Sequence, residues 1–262
     1  MTDGNPTELA PTLKDIGLHA PKETERLFGM NYELSRINPG DVIPIGQNIL
    51  SDQLVGSIEA DLEHFNPLIQ EMHDQAGKEN LAEWEKWLKA NNVTVDESLF
   101  AKLYAFTRIL EQKYPITPDA ESFRDSIYAK AKGGKVKLSE VFANGKAACA
   151  EIAILAQYYL QREGISSSFF NGEVLWEKDH EFADPHSFIL IRNGHKQYIF
   201  DPANPLKTNH GKFPSIYTTE ANFDQEVRKN HQRYLTSKNV ISKKDAYYGV
   251  GNATNVLPDN II

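Results

Sequence analysis

Hydrophobic positions change period partway along the chain. In the first half helical spacing dominates from Ser51 onward. Leu54, Ile58, Leu62 and Phe65 recur at intervals of four, four and three, which predicts an amphipathic helix that Pro67 kinks or ends. Leu81, Trp84 and Leu88 share one face of a second predicted helix over 80–90. Thr94 and Glu97 have capping-box spacing ahead of a third helix. Its stripe is Leu99, Phe100, Leu103, Phe106 and Leu110, and Pro115 ends it. Residues 119–131 read as a fourth helix, stopped at Gly133-Gly134. Residues 1–50, rich in Pro, Gly, Asn and Thr, show weak periodicity and are expected to be irregular.

The second half begins with one more helix. Ala147 to Glu163 is small or apolar at its start, buries Ile152, Leu155, Ala156 and Tyr159, and meets a C-terminal stop at Gly164. Strand-like runs follow at Ser166–Val174, Ser187–Arg192 and Lys196–Phe200. Beyond Phe213 a helical stretch over roughly 219–235 is expected, then a polar end. Helices followed by strands argue an α+β fold. The chain divides into an irregular segment (1–50), a helical region (51–114), a mixed core (115–214) and a C-terminal helix with a polar tail (215–262).

Composition narrows the function classes. With 262 residues, 40% hydrophobic and 24% charged, the chain is long enough for a substantial core. Its formal charge of −8 disfavours nucleic acid as a partner. The one basic cluster, Lys132, Lys135 and Lys137 beside Glu140, reads as a solvated turn. No apolar run is long enough to span a membrane, and the first residues lack a signal-peptide pattern. The expected location is therefore the cytoplasm of the producing cell. One cysteine, Cys149, excludes an internal disulfide.

Cys149 falls in the first turn of the predicted 147–163 helix. Backbone N–H groups there lack helical partners and carry partial positive charge, which stabilises a thiolate and leaves donors for an oxyanion. A buried, inert thiol is the structural alternative. Asn193-Gly194 is a strong hairpin signal. If these two residues form the turn between Arg192 and His195, His186 comes directly opposite Asp201, with Cβ atoms roughly 4.5–5.5 Å apart. A carboxylate so placed orients an imidazole as the third member of a triad. A bulge or a different turn would alter that register. His180 and His195 read as loop residues, and His64 and His73 lie on a helix without a visible partner. Asp179, His180, Asp184 and His186 fit no tight metal-ligand spacing, so neither metal nor cofactor is expected. Gly133-Gly134-Lys135 lacks the rest of a phosphate loop, and Trp84 and Trp87 read as packing residues.

The stretch from Asn144 to Pro205 resembles the transglutaminase-like superfamily, related to papain-type cysteine proteases. The matching residues are Gly145-Lys146-Ala147-Ala148-Cys149-Ala150-Glu151, Ala153-Ile154-Leu155, Gly164-Ile165, His186-Ser187-Phe188-Ile189-Leu190 and Tyr198-Ile199-Phe200-Asp201-Pro202. The sequence departs from the pattern at Ala147, where many members have Gly, and at Phe188, where many have Trp. The resemblance implies a papain-like core, a cysteine-bearing helix packed on an antiparallel sheet, with a helical region before it. It implies Cys149, His186 and Asp201 as catalytic residues and a second oxyanion donor upstream of the cysteine, for which Asn144 is the candidate. It implies a protein or peptide substrate, and acyl transfer at an amide: deamidation or transamidation of a protein glutamine, with a cysteine peptidase as the alternative. Some members are bacterial effectors delivered to a host cell. A non-catalytic interaction module that retains the fold is a further reading. Arylamine N-acetyltransferases resemble the same order but expect Arg-Gly-Gly before the cysteine, which is missing here.

Overall fold

The computed structural model describes residues 32–47, 54–115, 127–128, 135–145, 147–175, 184–194, 196–208, 211–218, 245–248 and 251–255. The predicted fourth helix lies outside these apart from 127–128, as does the predicted helix over 219–235. The remainder mixes helices with an antiparallel sheet, in line with the α+β reading.

The segment expected to be irregular holds strands β1 (Tyr32–Leu34) and β2 (Val42–Gln47). Helix was expected at Leu54–Ile58, but Leu54–Glu59 is strand β3, antiparallel to β2. The reason is arithmetic: a spacing of four satisfies a strand's two-residue alternation as well as a helix. Ile58 and Ala60 are fully buried, as alternation along β3 requires, while the end of the expected stretch, Leu62–Phe65, is a short 3-10 helix that buries Leu62 and Phe65. Pro67 does not end a helix but begins one, α1 (Asn66–Lys78), sitting where the missing N–H costs nothing.

Helix α2 (Leu81–Ala90) is capped by Asn80, whose side chain accepts from the Glu83 N–H at 3.3 Å. It ends through Asn92 at φ +57, a residue type that tolerates the left-handed conformation. Helix α3 (Glu97–Lys113) is capped by Asp96, not Thr94; the carboxylate accepts from the Leu99 N–H at 3.0 Å. All five residues of its predicted stripe are buried. Trp84, Trp87, Phe100, Tyr104 and Phe213 pack ring against ring, with Trp84 4.8 Å from Phe100 and Phe213 5.3 Å from Tyr104. The Trp84 indole N–H donates to Glu79 at 2.9 Å, so these rings join α2 to α3 and to the sheet.

Lys135 and Lys137 belong to strand β4 (Lys135–Lys137), not to a solvated turn. It runs parallel to β3, buries Val136 between the two exposed lysines, and pairs Lys135 with Glu59 at 3.0 Å. Helix α4 (Leu138–Ala143), unforeseen in the sequence, begins under Asp61, which accepts from the Ser139 N–H at 2.9 Å and also holds its hydroxyl. Gly145, at φ +63, turns the chain out of α4 toward the next helix.

That helix is α5 (Cys149–Arg162), in which every residue from Ala150 to Leu160 is buried. It lies against strands β5 (Ser167–Leu175), β6 (Asp184–Asn193) and β7 (Lys196–Thr208). Strands β8 (Gly211–Thr218), β9 (Asp245–Tyr248) and β10 (Gly251–Asn255) extend the sheet in the order β1-β5-β6-β7-β8-β10-β9. The boundary expected at 214–215 falls inside β8, and the expected polar end contains two strands. β9 returns to pair with β5 through Val174 and Leu175, so β5–β10 close into an antiparallel ring. Ile189, Ile191, Phe200 and Ile216 join the helices in one continuous core. By strand alternation the buried Phe170, Phe188, Leu190 and Ile199 face the inside of the ring. No described helix is long and apolar enough to cross a membrane.

Candidate active site

Cys149 is the first residue of α5 and is partly exposed, whereas its neighbours Ala148 and Ala150 are buried. The preceding residue, Ala148, is the N-cap and is extended at φ −113, ψ −161, with no side-chain acceptor to offer the helix. Ser, Thr, Asp or Asn at that position would contribute about 1 kcal/mol. The forward donors of the first turn are therefore uncapped by the residue that ordinarily caps them.

β6 and β7 supply the other two residues, in a register that differs from the expected one. The ladder pairs Asn193 with Lys196 and Ile189 with Phe200, so Asn193 belongs to the strand rather than to the turn, and Gly194 follows it at φ +62. Continued, this register sets Asp201 opposite Phe188 rather than His186. The displacement is two residues, which preserves the face of the sheet. His186 and Asp201 therefore become diagonal neighbours on the inner rim of the ring, still within reach of each other. The His186 ring is stacked over that of Phe188, with centroids 6.3 Å apart.

Nε2 of His186 donates to Oδ2 of Asp201 at 2.8 Å. The imidazole is 6% exposed and the carboxylate 0%, so solvent screens this pair little. The Cys149 sulfur lies near enough to the same ring to act on its charge. Burial works against the imidazolium. The Asp201 charge and hydrogen bond outweigh it, the Cys149 sulfur adds to them, and the ring is raised to about 10. His186 is then a cation through the neutral range, with its Nε2–H toward the acid.

Two further groups complete the surroundings. After Asp201 the β7–β8 register breaks, and Pro202–Pro205 bulge before Leu206 pairs with Phe213. Neither proline can donate to a ladder. The bulge carries the exposed Asn204 back over the pair: its Nδ2 donates to Asp201 Oδ2 at 3.2 Å and lies 3.4 Å from His186 Nε2. Behind Cys149, the fully buried Glu151 accepts from the Ala148 N–H at 3.0 Å and from the Tyr128 hydroxyl at 2.8 Å. The prolines around Asn204 and the three-residue interval from Ala148 to Glu151 were the only traces of these groups in the sequence.

The structure thus brings Cys149, His186 and Asp201 together. Asn144, the candidate second oxyanion donor, is exposed at the end of α4, and its Nδ2 donates to the Glu140 carbonyl at 2.7 Å. Among the described contacts none joins it to the three. His73 does have a partner, Glu163, at 2.7 Å. Asp179, His180 and His195 lie outside the described residues. No cluster of three or more His, Cys, Asp or Glu suited to a metal occurs among the described residues.

No protein-family model matches the chain, and no curated protein is significantly similar to it in sequence.

Proposed function

We propose that this chain is a cysteine-dependent acyl-transfer enzyme acting on amides, with protein glutamine side chains as its substrate class and Cys149, His186 and Asp201 as its catalytic residues. The observation that carries the reading is the buried His186–Asp201 pair, joined at 2.8 Å, with Cys149 at the start of α5 close enough to act on the ring's charge. A sulfur at a helix start, a ring held as a cation, and an acid behind the ring are the parts that covalent acyl transfer needs. The helix lying on an antiparallel ring of strands supports the finer reading of the fold as papain-like, and the Asn144–Pro205 resemblance to the transglutaminase-like superfamily points the same way.

In this mechanism the Cys149 thiolate attacks the amide carbonyl carbon. An S–C bond forms and the oxygen takes up negative charge, facing first-turn N–H groups of α5. His186 passes its Nδ1 proton to the amide nitrogen, the C–N bond breaks, and ammonia leaves. Water or a primary amine, deprotonated by the now neutral ring, attacks the thioester. The product is a glutamate or a substituted amide, and the thiolate is regenerated beside the reprotonated ring. Asp201 keeps Nε2–H engaged throughout, so only Nδ1 exchanges protons.

The test is ammonia release and intact mass of casein-type glutamine-rich proteins incubated with the enzyme. A gain of about one dalton per site that disappears in Cys149→Ala is expected, because hydrolysis of the acyl-enzyme replaces NH2 by OH. Release that persists in Cys149→Ala removes the sulfur from the mechanism.

A further inference from the structure

Glu151 is a fully buried acidic group two residues after the nucleophile, and the acyl-transfer steps above make no use of it. It occupies the third position of α5, and its two carboxyl oxygens point to different partners: one accepts from the Ala148 N–H, the other from the Tyr128 hydroxyl. A full capping box has two halves. The N-cap side chain accepts from the third N–H, and the third side chain accepts from the N-cap N–H. Here Ala148 cannot make the first half, and Glu151 makes the second.

The half that is kept and the half that is omitted have different consequences. The reach-back bond fixes the peptide plane entering Ala148, and with it the direction in which the Cys149 N–H leaves the helix. A forward bond would occupy N–H groups of the same turn. Tyr128, 1% exposed, fixes the carboxyl from the far side, 23 residues away in sequence, so that the anchor does not depend on the helix alone.

We infer that Glu151, held by Tyr128, is a positioning residue that aims the first-turn N–H groups at the carbonyl oxygen of the substrate while leaving them uncapped. This rests on the acyl-transfer reading. Glu151 acts through the backbone, so it affects reactions in which an oxyanion develops and spares those in which none does.

The single cysteine makes that distinction measurable on the full chain. Iodoacetamide alkylates Cys149 by displacement at carbon, with iodide leaving and no oxyanion. p-Nitrophenyl acetate acylates the same sulfur through an oxyanion: the S–C bond forms, the ester C–O bond breaks and p-nitrophenolate departs. The two rate constants are compared in the wild-type protein, Glu151→Met, which has no oxygen to accept from the Ala148 N–H, and Tyr128→Phe, with thermal melting to show that each is folded. The acylation rate constant is expected to fall at least ~10-fold in Glu151→Met and less in Tyr128→Phe, with alkylation within about threefold of wild type, since oxyanion donors act only where charge develops. Equal losses in both reactions would mean that Glu151 supports the sulfur or the fold generally, and would overturn the inference. So would unchanged acylation in both variants. A wild-type protein that is alkylated but never acylated would instead sink the acyl-transfer reading beneath it, a result visible before any variant is made.

Discussion

The two ends of helix α5 are built in opposite ways. At its C-terminus the backbone is over-determined. Gly164 adopts φ +70, its N–H donates to the Gln161 carbonyl at 3.1 Å, and the Ile165 N–H donates to Leu160 at 2.9 Å, the paired bonds of a Schellman stop. Glu163 is then gripped by His73 at 2.7 Å and Lys102 at 3.2 Å. At the N-terminus an alanine stands where a capping side chain would be, and beside it are the partly exposed sulfur and the buried imidazolium. One end is arranged for stability and the other leaves donors open for chemistry. Changes at the first should alter melting and spare turnover; changes at the second should alter turnover, whichever way stability moves.

The largest effect is expected at the open end. His186→Ala should lower kcat/KM for glutamine deamidation by about 10²–10⁴-fold, the usual contribution of a positioned acid–base group. Removing the imidazolium also leaves the buried Asp201 carboxylate without its cation, so melting near pH 7 should fall too, and activity is compared at a temperature where the variant is folded.

Asp201→Asn sharpens the same end through pH. In the native protein the ring is raised from the ordinary 6.5 to about 10, so the acid form lasts through the neutral range and activity declines only as pH approaches 10. Without the carboxylate, burial governs and the ring loses its proton at lower pH. The alkaline limb of the kcat/KM profile should move down by more than one pH unit. The same shift bears on stability. A cation favoured in the folded state contributes stability that is complete below about 6.5 and is lost as pH rises through about 10. Urea midpoints of the native protein should therefore fall over that window, and those of His186→Ala should fall less.

At the closed end, Gly164→Ala places an L side chain in the left-handed region and should cost about 1–2 kcal/mol, read as a lower urea midpoint with kcat unchanged. Nothing lies within 4 Å of the added Cβ, so the cost is conformational rather than steric crowding. The smallest change tests the trade directly. Ala148→Ser supplies the missing cap and should raise stability by about 1 kcal/mol while slowing acylation of Cys149. A stabler protein with undiminished acylation would show that the alanine serves no purpose at the site.

How far the sequence revealed this arrangement depended on whether the signal was local. The α3 stripe and the buried face of α5 were legible because their apolar positions follow one helical period. The order Cys149, His186, Asp201 was legible for a similar reason, since a helix start and a hairpin are short-range features. The hairpin register was misplaced because Asn193 belongs to the strand rather than to the turn, yet a two-residue slip leaves each side chain on its own face. β3 was hidden by a spacing common to both periods. Glu151 and Asn204 were overlooked because their roles arise from contacts made in space, one with Tyr128 and one through a bulge. Asn144 was placed near the cysteine by sequence proximity, and the turn at Gly145 directs its amide to Glu140 instead.

The ring of strands closes only through β9 and β10, whose last residue is Asn255. During synthesis the nucleophile emerges more than a hundred residues before that seal can form. A nascent chain therefore carries its thiol ahead of a finished β-structure, and closure of the ring waits on the long-range pairing of β5 with β9.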